Sequence, residues 1–520
     1  MKANKILFIL SILWGCFACT DGLEVIPENS VTFENYFKTE KDIETSLNAL
    51  RDEFRSTCAF NANKTPIDLG FVHDTLSSTS AQKSFNWDAS QFTPIYVDFF
   101  WNSHYAIICY ANILLENIDK AEITQDRKDY YIGLAHFYRG FTYFRIAQKW
   151  GEAPLQTDSR DISKKAKSSV ADILQFALDE TNLAIKLLPL RDGLIDANGS
   201  QVTDKATPSK EIAQALKADL CAWKAAINNE PELWQEAINA ANFVIDSCHY
   251  TLASDPEEVC TNVLPGGSDE GIFEIKFNYV EATRNPWTPM EEFVTFPIRP
   301  EDGRGDIKYC YARMFETTVD KMYPGHFEGM IAEGVYQGDK RRLAYFYDLD
   351  TIRKNAEWHA LAEGYAYPYK FRKVQLGTTS WSQGKFECFA CDHIIYRLAD
   401  LILLRAECYA RINKNDLATK DLNRIRERAY GNRSHDYNAA TEGSDLRYII
   451  FKEREKELLM EGCRWYDVIR NGYYKTELYG GFRNVSKQDI LDGVFFNAVD
   501  NNEFSENPLA RQNTYWLKRM

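Results

Sequence analysis

The feature that most constrains this chain is a succession of amphipathic helical segments joined by short polar turns. Residues 40–55 open with an acidic first turn and place Ile43, Leu47, Leu50 and Phe54 at helical spacing. Residues 99–118 carry Trp101, Tyr105, Ile108, Asn112 and Leu115 on one broad face. The next segment, 126–150, is dense in aromatics: Tyr130, Tyr131, Phe137, Tyr138, Phe141, Tyr143 and Phe144. "GEAP" at 151–154 stops it. Residues 169–188 end at Pro189, and a helix from Thr207 has Pro208 at its first position. Ala213, Ala215, Ala218, Ala222 and Ala225 allow close packing against a partner predicted over 231–248. Further helices are predicted over 392–412, 416–430 and 445–460. Such pairs suggest tetratricopeptide-like hairpins. The period is irregular, so periodicity alone supports a mainly all-α, helical-repeat-like chain.

Residues 251–390 break the pattern with turn signals such as "PGGSDEG", "NPWTPM", "PIRPEDGRG" and "YAYPYK". "GIFEIKF" (271–277) reads as a strand among them. A long irregular region on a rigid scaffold is often where function resides.

The formal charge is −14, with no long Lys/Arg run, which makes nucleic acid a poor partner. The N-terminus has the three parts of an export signal: Lys2 and Lys5, an apolar stretch over 6–13, then small residues at Gly15 and Ala18. That stretch is far shorter than the ~20 apolar residues of a membrane-spanning helix. Both "LWGC" and "CFAC" resemble lipoprotein processing sites, in which the cysteine is acylated. Generic rules favour Cys16, because Leu13 and Gly15 precede it. The remaining cysteines are scattered and do not suggest a dense disulfide framework. Cys388 and Cys391 have redox or zinc spacing, but no second such pair exists; structural thiols or a local bridge fit better.

The histidines form no H-E-x-x-H, and neither G-x-S-x-G nor a phosphate-binding glycine loop occurs. No metal site or cofactor is indicated. The most loaded stretch is "FKEREKELLMEGCRWYDVIRNG" (451–472), with Glu453, Glu457 and Glu461 at i, i+4 and i+8 and Arg454, Arg464 and Arg470 nearby. A glycosidase needs two carboxylates facing across a cleft. Carboxylates stacked beside arginines more often make an ion-pair network, so this stretch reads as structural. Trp87, Tyr96, Tyr279, Trp287 and Trp381 lie in turn-rich segments, where such rings stack on sugars or simply pack a loop.

Several longer stretches resemble, in order, the SusD/RagB family of outer-membrane nutrient-binding lipoproteins. They are "CTDGLEVIPENSVTFENYFKTEKDIETSLNALR" (19–51), "FWNSHYAIICYANILLENID" (100–119) and "AHFYRGFTYFRIAQKWGEAPL" (135–155). "IIYRLADLILLRAECYARI" with "DLATKDLNRIRERA" (394–429), the stretch 450–472 and "NPLARQNTYW" (507–516) follow. The chain departs from the family pattern at Cys463, where His or Asn is usual, and in carrying Cys408. The resemblance implies a tetratricopeptide-like superhelix with a loop-rich insertion bearing a few short strands. It implies a signal peptide over 1–18 and one SusD-like domain over 19–520. That domain would comprise N-terminal helices (19–250), a ligand-facing region (251–390) and C-terminal helices and tail (391–520). It implies no catalysis, with a hydrolase using Asp74 or Glu457 as the remote alternative. The expected role is a surface lid over a SusC-like TonB-dependent transporter, capturing glycans or, as in RagB-type proteins, peptides. The family register moves the lipid from Cys16 to Cys19, anchoring the protein to the outer membrane. The glycan contacts it suggests are Asp74, Trp87, Tyr96, Tyr279, Trp287 and Trp381.

Overall fold

A computed structural model of the protein describes residues 36–58, 76–77, 101–276, 313–325, 331–332, 335–336, 338–362, 364–380, 383–384, 386–478, 480–499 and 501–519. The N-terminal helices are α1 (Glu40–Cys58), α2 (Trp101–Asn117), α3 (Gln125–Lys149), α4 (Val170–Leu187), α5 (Lys210–Ile227) and α6 (Leu233–Ser247). Short helices follow at α7 (Glu316–Met322), α8 (Arg341–Tyr345), α9 (Leu349–Lys354) and α10 (Ala356–Ala362). The C-terminal helices are α11 (Leu398–Arg411), α12 (Asn415–Tyr430), α13 (Leu446–Glu457) and α14 (Arg464–Asn471). Among the described residues the strands are β1 (Leu76–Ser77), β2 (Gly271–Ile275), β3 (Arg313–Phe315), β4 (Ile331–Ala332), β5 (Val335–Tyr336), β6 (Tyr365–Ala366), β7 (Val374–Leu376), β8 (Phe386–Phe389) and β9 (His393–Arg397).

Each helix from α1 to α6 packs on the next, α11 then docks on α6, and α12 folds back on α11. This nearest-neighbour stacking is the tetratricopeptide-like arrangement expected. Side chains fix the helix starts: Thr124, Ser169 and Asp445 each accept a backbone N–H at the N-cap. α5 begins later than predicted. Ser209 is its cap, and Pro208 lies before the helix rather than in its first turn. Glycine sets the closeness of α3 and α4: a Cβ on Gly140 would sit 3.1 Å from both the Ala177 carbonyl oxygen and Thr181 Oγ1. α3 is buried nearly all round, so its aromatics form the centre of one continuous apolar core.

Two further boundaries differ from the periodicity reading. The helix predicted over 392–412 starts only at Leu398, because His393–Arg397 forms β9 against β2. Gly271 lies opposite Arg397 and Ile275 opposite His393. The helix predicted to 460 stops at Glu457, and the chain turns through Met460 and Gly462, both at positive φ, before α14. Glu461 therefore stands outside the helix that carries Glu453 and Glu457.

Candidate functional site

The β2–β9 ladder brings Arg397 beside Glu270, the residue before β2, and both face the C-terminal end of α13. Arg397 Nη1 lies 2.8 Å from Glu270 Oε1 and 2.9 Å from Glu457 Oε1, and Arg397 Nε lies 2.7 Å from Glu461 Oε2. Arg428 bridges Glu270 and Glu457 from α12. Arg341 reaches Asp339 at 2.7 Å, Glu453 at 2.6 Å and Glu457 at 3.4 Å. The Lys370 ammonium binds Glu461. All these groups are buried or nearly so. The three glutamates that stood out in the sequence are thus the acid half of one interior network. Burial opposes their charge, but the surrounding Arg and Lys hold the carboxylates of Glu453, Glu457 and Glu461 below the usual range, Glu453 at about 2. A carboxylate clamped in its ionised form is a poor proton donor, which removes the chemistry that would make Glu457 a general acid.

A second cluster adjoins the first. Arg470 forks onto Glu407 at 2.9 and 2.7 Å and reaches Asp467 at 2.6 Å. Arg454 lies 2.9 Å from Asp467 and 2.8 Å from Asp400. Beside it lies a cavity of about 90 Å³ of mixed polar and apolar lining, bordered by Thr57, His104, Arg145, Asp219, Tyr396 and Asp400. Such a volume suits a few waters. Asp219 accepts the Tyr396 hydroxyl at 3.2 Å, and burial pushes its carboxyl up to about 6 against the pull of Arg470 and Arg145. Between the unfolded aspartate value near ~4 and about 6, the native state holds a proton that the unfolded chain lacks. Its contribution is full below that window and is lost as pH rises through it. We expect Asp219→Asn to remove a stability decrease of about 1.4 kcal/mol between pH 5 and pH 8. Urea unfolding of both proteins at the two pH values measures it; parallel losses would contradict the assignment.

Among the described residues no group of three or more His, Cys, Asp and Glu is arranged to hold a metal. Cys391 is a thiol whose pKa burial pushes up to about 12, unlike a reactive redox cysteine. The side chain of Cys388 lies outside the described residues, as do Cys16, Cys19, Asp74, Trp87, Tyr96, Tyr279, Trp287 and Trp381.

What the loop-rich region does show is a small antiparallel sheet, completed by β1 from the N-terminal part, in the order β1–β3–β6. In its register Met314 lies opposite Ala366 and Phe315 opposite Tyr365. Met314 and Ala366 are buried; Phe315 is 37% exposed. Its ring stacks on Tyr365 with centroids 4.8 Å apart and planes at 26°. At the next residue, Glu316, Arg353 binds the carboxylate at 2.7 Å and forks onto Asp320 at 3.0 and 2.8 Å. Arg342 joins Asp320 at 3.0 Å to Asp350 at 2.7 Å. His359 Nε2 of α10 lies 3.5 Å from Glu316 Oε2, and the same helix carries Trp358, 38% exposed. Sequence reading missed Phe315, Tyr365 and Trp358. The in-out alternation of the first two appears only once β3 is paired with a strand some fifty residues later.

A tetratricopeptide-like helical scaffold with a loop-rich insertion and an ion-paired interior defines the class: a helical-repeat protein whose helices support irregular segments. A family model described as "SusD family" matches residues 333–516, and one described as "Starch-binding associating with outer membrane" matches 23–210. SusD-like protein P38 of Formosa agariphila is 23% identical, over 97% of this chain and 99% of its own length. Among solved structures, a SusD homolog from Bacteroides thetaiotaomicron superposes with a TM-score of 0.71 at 20% identity, covering 92% of this chain and 99% of its own. A laminarin-binding SusD-like protein gives 0.67 at 19% identity, covering 92% and 99%. The chain belongs to the SusD/RagB family.

Proposed function

We propose that the protein captures oligosaccharides or polysaccharides at the outer surface of the cell and delivers them to a SusC-like TonB-dependent transporter. Family membership carries this reading, through the model described as starch-binding and associated with the outer membrane. The solved structure named as laminarin-binding lends support, although that ligand belongs to that protein. No described helix is long and apolar enough to cross a membrane, and we assign attachment to a lipid on Cys19. Asp74, Trp87, Tyr96, Tyr279, Trp287 and Trp381 are proposed as glycan contacts. Aromatic faces would supply most of the affinity, with polar groups fixing orientation. The domain is proposed to run from residue 19 to the end of the chain, with 251–390 choosing the ligand.

Isothermal titration of the purified protein against soluble polysaccharides and a peptide mixture tests the reading. A glycan should bind with a Kd of about 1 μM or weaker, because the ligand must be released to a transporter. Trp87→Ala or Trp287→Ala should weaken it. Binding of peptides and no glycan would replace glycan capture with the RagB-type alternative.

A further inference from the structure

We propose that the stacked Phe315–Tyr365 pair is a subsite for a neutral pyranosyl residue, an inference that rests on the glycan capture proposed above. The argument begins with the strand. Successive side chains of a strand point to opposite faces, so burial of Met314 and Ala366 sends Phe315 and Tyr365 outward. Directly opposed residues on one face touch, and here they present two near-parallel rings. An outward strand position accepts Thr or Lys at no loss. Phe315, 37% exposed, instead forgoes up to about 1 kcal/mol of burial. A ligand with an apolar face recovers that burial.

The platform is also held rigid. Phe315 leads directly into α7, and Glu316 N donates to the Gly364 carbonyl at 3.0 Å, locking the two ends of the sheet together. The Glu316, Asp320 and Asp350 carboxylates and the Arg342 and Arg353 guanidiniums form one brace that begins at the residue after Phe315. A surface ordered before binding loses less entropy on binding.

The same brace selects the ligand class. The apolar C–H face of a pyranose packs on an aromatic ring as other apolar surface does. A sulfate or uronate group needs a cation, and both guanidinium forks here are already filled by carboxylates. The protein as a whole carries −14, which repels polyanions. The fitting ligand is therefore an uncharged glycan with a pyranose face unobstructed by ionic substituents.

The test is isothermal titration of the full chain against starch, laminarin, xyloglucan, arabinoxylan and mannan, with alginate, polygalacturonate and chondroitin sulfate as polyanions and a casein digest as a peptide source. Phe315→Thr and Tyr365→Thr keep strand propensity and remove the rings; Phe315→Tyr keeps the platform. Circular dichroism melts establish that each variant is folded. The expected result is binding of at least one neutral glycan, weakened about tenfold or more by either Thr variant and within about threefold of wild type in Phe315→Tyr. A neutral glycan bound equally by wild type and folded Thr variants overturns the subsite and leaves glycan capture standing. Binding confined to polyanions overturns the neutral class. Binding of peptides alone overturns glycan capture, and the subsite with it.

Discussion

Replacing Glu457 with alanine is expected to cost about 3–5 kcal/mol of folding stability, because it strands buried cations. Its two carboxylate oxygens serve Arg341, Arg397 and Arg428, which arrive from α8, β9 and α12. Removing that charge leaves guanidiniums facing one another in an interior from which water is excluded. Glu457→Gln should also be strongly destabilising, since an amide offers one oxygen and no charge to the three cations. The pH dependence has a definite sign. Arg428 and its neighbours hold the carboxyl well below its ordinary value, so its contribution is present above pH ~4.3 and is lost as acid protonates the native state. Urea unfolding midpoints at pH 7, converted to free energies, measure the effect. A loss below about 1 kcal/mol for Glu457→Ala would mean that the network is not cooperative.

Trp465→Ala should cost a similar amount, about 3–5 kcal/mol, by a different mechanism. Trp465 is buried at the start of α14, its ring edge-on to Phe482 at 5.6 Å and to Phe495 at 6.2 Å. These contacts seat the segment after α14 on the helices. Truncation leaves a cavity lined by aromatic rings that cannot close without moving that segment. Trp465→Phe should cost about 1–2 kcal/mol, because most of the apolar volume remains. Thermal melts followed by limited proteolysis should show the alanine variant cut first between residues 478 and 499. Cleavage elsewhere at an unchanged melting temperature would contradict this role.

Much of the helical scaffold could be read directly, because apolar spacing is a local signal and the caps lie next to the helices they start. The exceptions are instructive. His393–Arg397 runs without interruption into an apolar helix, and nothing local marks the join. What makes it a strand is β2, over a hundred residues earlier in the chain. Glu461 was grouped correctly with Glu453 and Glu457 although the helix ends before it; the turn through Gly462 still delivers its carboxylate to Arg397. The aromatic residues proposed to meet the ligand are less legible. Sequence favoured tryptophans and tyrosines in turns, all of which lie outside the described residues. Phe315 sits beside an equally apolar methionine, and only pairing with Tyr365 distinguishes the outward ring from the buried side chain.

One set of contacts bears on how such a chain comes to be finished. Asn497 N donates to the Lys149 carbonyl at 2.7 Å, and Asn513 Nδ2 donates to the Trp150 carbonyl at 3.1 Å. Asn513 Oδ1 in turn accepts from Lys167. The end of α3 is therefore sealed by residues synthesised more than three hundred positions later. Pairings of such long sequence separation form slowly and late. During synthesis the N-terminal helices can stack on one another, yet the rim of the central helix stays open until residues 497–513 arrive. Until Asn497 and Asn513 are in place, the Lys149 and Trp150 carbonyls lack the protein donors that close the end of α3.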